Sequence, residues 1–539
     1  GIWEAFNGST TTVGGGFNVG LRDGSVSTAL FDGAGTTLTA FNLFVGNGTG
    51  VGSTGTATFR NGATATLNGA FATNDAGSAV TIGDDDEGVG TLNIEGVGSR
   101  VETTNSTWFI GGSENEDGGT GTVNISAGGV GIASGRTWIG YRANAQGTLN
   151  VTGSGSRYDA NGDFILVGFS GDGFLNIDDG GVVNGNGLIL ADEPGSAGSD
   201  ITVDGAGSQF NLTQRLFIGD ENDAPMTVSD GAVVNVASNF ADPDVADRRL
   251  VIGRINSSND SSLTVTGAGS AVNYFGGERI SVGFQAGTAA DRNKLHVLDG
   301  AVVRAFRTDA ANPATQGFMV LGDESNGHGE LLVDGAGSLV DVRYLDIGQA
   351  NSASGSVTVS NGGEVQIAEF SEVGAGGDGD NFLTVEDVGS RYETGGDLSV
   401  AAGSSSLRVD GEMRIRDGGT VVTGGNGFIG RASTNVGRVD LGGPGAMATW
   451  DVAGNFYVSG STNVSSSGGS QSSGSSTLNL LENGRLTVDG DFYLKDRGTI
   501  NLTGGELIAN DLIFLDFTGT NYTPVPTVNW DTGLIRYTE

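Results

Sequence analysis

The 539-residue sequence has no cysteine, only 7 prolines, 2 histidines and just two lysines, Lys294 and Lys495. The absence of cysteine excludes disulfides and thiol chemistry. Affinity for nucleic acid comes from Lys and Arg side chains that neutralise phosphates, so a formal net charge of −37 argues against nucleic acid as a partner. The chain has no run of about 18 apolar residues, and we expect no membrane insertion. The charge favours solubility and cation binding instead.

One short stretch recurs along the chain: an apolar residue, a variable residue, then Ile, Val or Leu, usually followed by Gly. A clear copy is Leu216-Phe217-Ile218-Gly219. Most copies lie 26 to 30 residues apart, and their last positions are Gly46, Gly83, Gly111, Gly140, Gly168, Ala191, Gly219, Gly253, Gly283, Gly322, Gly348, Gly374, Ala401, Gly430 and Ser459. A fixed period of this length is typical of a solenoid, in which stacked repeats bury a common core.

The composition and the local pattern predict strands separated by tight turns. With 98 glycines and 37% hydrophobic residues, the chain is too apolar for disorder and too rich in Gly for helices. Within each repeat, apolar residues alternate with Asn, Thr, Asp or Glu, so each strand has one buried and one outward face. Two corners mostly alternate along the chain: Gly-x-Gly-Ser, as at 205–208, and a Gly-containing turn, as at Asp179-Gly180. Such turns supply the positive φ that a tight corner needs.

We therefore predict an all-β fold, a parallel β-helix of about 15 rungs that stack about 4.8 Å apart. A β-propeller is the alternative, but its inner strands are apolar on both faces, whereas most strands here have one apolar and one polar face. Residues 1–30 are an atypical N-terminal cap or joining segment, 31–510 form the repeat domain with a Gly/Ser-rich loop at 459–476, and 511–539 form a C-terminal cap or docking tail.

The amino-acid sequences of the repeats are similar to those of a known class of proteins. The segments LTVTGAGS (263–270), ISVGFQAG (280–287) and LHVLDGAVV (295–303) resemble the repeats of bacterial autotransporter passenger domains and of PEP-CTERM-associated surface proteins. The resemblance covers roughly residues 30–510 and implies a right-handed parallel β-helix, extracellular or displayed on a bacterial cell surface. It does not define an activity, because such passengers include adhesins, passive stalks and enzymes. The sequence begins at Gly1 without a basic, apolar leader, so we expect a mature product or an excerpt.

The residues for catalysis are sparse. His296 and His328 belong to no pair with metal-ligand spacing and to no HExxH motif. Polysaccharide-active enzymes need clustered acidic and basic groups, whereas the carboxylates here are dispersed and Lys is nearly absent. We expect no enzyme and assign no catalytic residue.

Acidic residues follow the recurring stretch in several repeats, so stacking should bring them to one edge. Ca²⁺ favours clustered oxygen ligands in flexible loops. The candidate Ca²⁺ ligands are Asp84, Asp85, Asp86, Glu114, Glu116, Asp220, Asp223, Asp378 and Asp380. A solvated acidic edge without a metal is the alternative.

Aromatic residues form two further candidate sites. The variable position of the recurring stretch points away from the core and is often aromatic, as in Phe109, Trp138 and Phe217, so stacked rungs would align these side chains into a stripe. That stripe would bind sugar rings or a neighbouring molecule, unless the loops cover it. The two ends of the chain supply the other aromatic and apolar candidates for partner binding: Trp3, Phe6, Trp530, Leu534 and Tyr537.

These features predict a non-enzymatic structural protein of a bacterial surface layer, matrix or filament. An open β-helix end exposes unpaired backbone groups, so self-association into a head-to-tail homopolymer would satisfy them. An adhesin that binds glycans is the alternative, and a polysaccharide-active enzyme comes third. Ca²⁺ is the one cofactor that we expect.

Overall fold

The computed structural model describes residues 1–48, 52–69, 78–84, 87–104, 106–113, 117–236, 249–255, 257–276, 279–288, 290–305, 317–376, 379–403, 409–431, 435–460, 475–515 and 525–538. The chain divides into two units, residues 1–264 with 269–276 and residues 265–268 with 277–539. The regular elements of the described residues are all strands, and none of these residues belongs to a helix that could cross a membrane.

The first 27 strands begin in the first unit. In chain order, β1 to β27 are Ile2–Phe6, Thr10–Thr12, Gly16–Val19, Val26–Asp32, Thr37–Ala40, Asn42–Asn47, Thr54–Arg60, Thr64–Leu67, Ser78–Asp84, Val89–Glu95, Arg100–Thr103, Thr107–Ile110, Thr120–Ser126, Val130–Ala133, Thr137–Ile139, Gln146–Thr152, Arg157–Val167, Asp172–Asp178, Val182–Leu190, Asp200–Asp204, Gln209–Leu212, Leu216–Ile218, Pro225–Ser229, Val233–Val236, Leu250–Ile252, Ser262–Thr266 and Ala271–Tyr274.

The remaining strands lie in the second unit. In chain order, β28 to β52 are Arg279–Val282, Asn293–Leu298, Val302–Ala305, Phe318–Leu321, His328–Asp334, Leu339–Val342, Tyr344–Ile347, Ser354–Ser360, Glu364–Ile367, Ser371–Val373, Phe382–Glu386, Arg391–Thr394, Leu398–Val400, Asp410–Arg416, Thr420–Thr423, Gly427–Ile429, Val436–Leu441, Ala448–Val452, Phe456–Val458, Ser476–Leu481, Gly484–Val488, Phe492–Lys495, Gly498–Ala509, Leu512–Leu515 and Thr527–Tyr537.

Both units are parallel β-helices, as the period predicted. A typical rung has three strands, and each strand pairs in parallel with the corresponding strand of the next rung, as β10 does with β13 and β13 with β16. In the second unit β32 pairs with β35 in the same way. The β-propeller alternative is wrong, because propeller blades are antiparallel sheets.

The core is a set of apolar columns along the rungs. Leu92, Val123 and Leu149 are in register on the corresponding strands of three successive rungs, and all three are fully buried. Along each of these strands, the residues that alternate with the buried ones are half-buried. This is the alternation of an inward and an outward face that the sequence predicted. Columns of like residues also form outside the core, where the side-chain amide of Asn124 donates to Asn93 and that of Asn150 donates to Asn124.

The serine of each Gly-x-Gly-Ser corner connects two rungs. Ser208 is fully buried, and its hydroxyl accepts a hydrogen bond from the backbone N–H of Gly180 at 3.0 Å and donates one to the Asp204 carbonyl at 2.5 Å. Gly128 and Ser156 form the first of these contacts at the same distance. Each serine therefore links the two corner types, because it accepts a hydrogen bond from the Gly turn of the rung before it. Further pairs are Gly62 with Ser99, Gly231 with Ser270 and Gly300 with Ser338. Ser390, whose corner begins with Asp387 instead of Gly, forms the same contact with Gly362.

The first and last described strands each pair with a strand of the neighbouring rung. β1 pairs in parallel with β4, and β52 pairs in parallel with β50. The division into two units falls between residues 264 and 277, and the predicted boundaries near residues 30 and 510 stay predictions. Most of the Gly/Ser-rich loop predicted at 459–476 lies outside the described residues.

Candidate functional site

The aromatic side chains at the variable position are buried. Phe109 and Phe217 are 1% exposed and Trp138 is 7% exposed. Tyr141 and Phe169, from the loops that follow two of these strands, pack edge-on against Trp138 with ring centroids 4.6 and 5.1 Å away. These three side chains therefore form no exposed stripe, and the alternative, in which loops cover the row, describes the structure.

The end residues that the sequence named as candidates for partner binding are exposed. Trp3 and Phe6 of β1 and Trp530, Leu534 and Tyr537 of β52 are all accessible to solvent. Nearly every residue of β52 is exposed along its whole length. Whether these residues bind a partner stays a prediction.

The acidic candidates are divided among different environments. Asp220 is buried, and its two carboxylate oxygens accept hydrogen bonds from Arg254 Nη1 at 2.8 and 2.9 Å. Asp223 accepts a hydrogen bond from the Asp260 backbone N–H, Asp84 is buried and Asp380 is exposed. The other candidates lie outside the described residues: Asp85, Asp86, Glu114, Glu116 and Asp378.

In the part of the chain that the structure describes, no group of three or more Asp, Glu or His side chains could hold a metal ion. The carboxyl groups of Asp192 and Asp220 interact directly. Burial, followed by the hydrogen bond and charge of Asp220, raises the pKa of Asp192 well above its ordinary value. The Ca²⁺ site stays a prediction.

On two neighbouring rungs of the second unit, the variable position is acidic instead of aromatic. Asp346 and Glu372 occupy it on neighbouring strands and are in register. Arg279 forms an ion pair with Asp323 at 2.7 Å, and its Nη1 donates to Gln349 Oε1 at 2.9 Å. Gln349 in turn donates to Asp346 Oδ2 at 3.3 Å. Polar side chains thus occupy, on these two rungs, the position at which other rungs have an aromatic side chain.

A cavity of about 510 Å³ opens beside Glu372. Its lining residues are Ala368, Glu369, Phe370, Ser371, Glu372, Gly395, Gly396, Asp397, Ser399 and Arg431. Ser399 is in register with Phe428 of the next rung, so the small serine leaves open the space that an aromatic ring fills one rung on. Arg431 Nη1 lies 3.6 Å from Glu372 Oε1. Burial raises the pKa of Glu372.

The walls of the cavity are fixed by hydrogen bonds. The Tyr344 hydroxyl donates to Glu369 Oε2 at 2.5 Å, and Arg343 Nε donates to Glu369 Oε1 at 2.8 Å. Across the cavity, the backbone and side-chain N–H groups of Asn426 donate to Asp397 Oδ1 at 2.8 and 3.1 Å. Both carboxylates are therefore held in place by neighbouring groups.

No family model matches the chain. A curated relative, described as the uncharacterized lipoprotein YdeK of Escherichia coli strain K12, is 29% identical over 327 residues, which is 57% of this chain and 22% of the relative. The chain thus spans about a fifth of the length of that relative. Among solved structures, a fragment of TibA hyper-glycosylated by TibC is 14% identical and has a TM-score of 0.31, with 84% of this chain and 98% of that chain covered.

Asp346 should make stability depend on pH. Burial, with the charges of Glu372 and Asp323, raises the pKa of Asp346 from 3.8 to about 7. The folded state holds this proton more tightly than the unfolded chain, so the stabilisation is complete below pH 3.8 and is lost as the pH rises toward about 7. We expect Asp346→Asn to gain about 1 to 4 kcal/mol relative to the original chain over that interval.

Urea unfolding at a series of pH values tests this expectation. The exposed Asp380 provides the control, since Asp380→Asn removes one negative charge without changing a buried group. A difference between Asp346→Asn and the original chain that stays constant with pH would contradict the assignment.

Proposed function

We propose that this chain is a non-enzymatic structural module of the bacterial cell surface, whose β-helical ends join copies of the protein head to tail. The observation that supports it most is the exposure of large apolar side chains on two strands, β1 and β52. β1 pairs in parallel with β4 and β52 with β50, and Trp3, Trp530 and Leu534 are accessible to solvent. A strand of another copy can add to a strand of this kind through backbone hydrogen bonds.

The exposed side chains of β52 suit this contact. Trp530 and Leu534 are large apolar residues of this strand that remain accessible to solvent. The side-chain amide of Asn529 donates to Asn501 at 2.8 Å, which extends an Asn column to the last strand. A strand added to β52 would continue the column and cover the two apolar side chains.

Two further observations support the location and the absence of catalysis. The curated relative is described as a lipoprotein, a class held at a membrane surface by its lipid. His296 contacts Glu330 at 3.2 Å, and His328 contacts Ser354 at 2.6 Å, but the Ser354 side chain is buried and so cannot reach a substrate.

Substitution of the exposed apolar residues of β52 tests the proposal. A charged side chain on an edge strand opposes the addition of another strand, so Trp530→Lys and Leu534→Lys should leave single chains of 54.3 kDa, whereas the original chain forms larger assemblies. Light scattering coupled to size-exclusion chromatography measures the mass. Val388 is the matched control, because it is an exposed apolar residue at a corner, and Val388→Lys should assemble as the original chain does.

Two results would contradict the proposal. One is an original chain that remains at 54.3 kDa at every concentration. The other is an assembly that persists unchanged in both β52 variants.

A further inference from the structure

The cavity beside Glu372 is lined by an aromatic ring, three carboxylates and a guanidinium group. We propose that it binds the ring of a neutral sugar, with Phe370 as the stacking surface and the carboxylates and Arg431 as hydrogen-bond partners of the hydroxyls. At about 510 Å³ the cavity falls within the range of small-molecule pockets. All of its lining residues belong to the second unit, so this proposal is independent of the ends of the chain.

Phe370 provides an aromatic surface at the place where a column of rings stops. Phe318, Tyr344 and Phe370 occupy one column, with successive ring centroids 4.6 Å apart. On the next strand the residue in register is Asp397, because Ser371 pairs with Leu398. The Phe370 ring is half-buried and lines the cavity, so on that side it has no ring of its own column against it. The apolar face of a pyranose is a suitable partner for such a ring.

The polar groups around the cavity are already oriented. Glu369 is fixed by Arg343 and Tyr344, and Asp397 is fixed by Asn426, so a ligand would not have to immobilise them. Carboxylates accept hydrogen bonds, and the Arg431 guanidinium donates them. A ring with several hydroxyls both donates and accepts, and therefore matches this mixture.

The charges around the cavity favour a neutral ligand over an ion. Three carboxylates, those of Glu369, Glu372 and Asp397, oppose the entry of an anion. The charge of Glu369 is compensated by Arg343 at 2.6 Å, and Glu372 has Arg431 nearby. No group in the described part of the chain has the ligand set of a metal ion. A neutral sugar satisfies these conditions without introducing an unpaired charge.

Saturation-transfer NMR with four probes tests the proposal: the methyl pyranosides of glucose, galactose, mannose and N-acetylglucosamine, each added separately to the full chain. We expect at least one of them to bind. Phe370→Ala should weaken that binding about tenfold or more, since the stacking surface is lost. Ser399→Phe should abolish it, because Phe428 shows that an aromatic ring occupies this space one rung on.

Phe318→Ala is the matched control, because Phe318 belongs to the same aromatic column but does not line the cavity. Its affinity for the probe should equal that of the original chain, and circular dichroism should show all variants folded. Two results would overturn the proposal: no binding of any of the four probes to the original chain, or binding that survives both Phe370→Ala and Ser399→Phe. Neither result depends on whether the chain assembles end to end.

Discussion

Trp450→Ala is expected to lower the free energy of unfolding by about 3 to 5 kcal/mol. Trp450 is fully buried in the core of the second unit and packs edge-on against Phe456 with ring centroids 4.8 Å apart. Its indole N–H also donates to the Thr423 hydroxyl at 3.0 Å, so truncation leaves a buried hydroxyl without that partner. Both effects destabilise the folded state in the same direction.

The matched control is the exposed Val388, which lies outside the proposed contact between copies. Val388→Ala truncates an apolar side chain at a corner, where 73% of the residue is exposed, and should change the unfolding free energy by less than about 0.5 kcal/mol. Urea denaturation followed by circular dichroism measures both variants. Equal losses of stability at the two positions would show that Trp450 does not pack in the core as described.

Gly140→Ala is expected to destabilise the first unit by about 2 to 5 kcal/mol, because two costs combine. Gly140 has a φ of +73°, which a side chain disfavours, and a Cβ there would lie 2.3 Å from the carbonyl oxygen of Asp172 in the next rung. The left-handed conformation alone does not forbid alanine, since Ala191 and Ala401 adopt it at the equivalent position with φ of 57° and 59°. The close approach of the next rung is therefore the larger cost.

Gly153 separates the two costs. Its φ is +91°, but a Cβ there would meet nothing closer than the Ala127 nitrogen at 3.9 Å. Gly153→Ala should therefore cost only about 1 to 2 kcal/mol. The comparison by urea denaturation would contradict the tight stacking of rungs if Gly140→Ala were no more destabilising than Gly153→Ala.

The sequence was sufficient to predict the rungs because their determinants are local. The alternation in Leu92-Asn93-Ile94 places one face inward, and Asp179-Gly180 forms a corner through its own backbone preference: Asp179 has a φ of 51°. The strand alternation and the corner residues recur with the period, so each repeat independently predicts the same strands and turns. The role of Ser208 was not predictable from its own corner, because its partner, Gly180, belongs to the rung before.

The candidate sites depended on contacts between rungs, which the period does not specify. Trp138 is covered by Tyr141 and Phe169, two loop residues whose direction cannot be deduced from the strand. The cavity had one sequence signal, the acidic residue at the variable position in Asp346 and again in Glu372. Its shape depends in addition on residues of later rungs, which no single repeat reveals.

Electron microscopy of the purified chain tests the central claim, end-to-end assembly of a structural β-helix, most directly. A net charge of −37 makes copies repel one another, and salt screens this repulsion, so assembly should be favoured at higher ionic strength. We predict filaments of copies joined head to tail, longer at high salt than at low salt. Single particles of one chain under both conditions would contradict the claim.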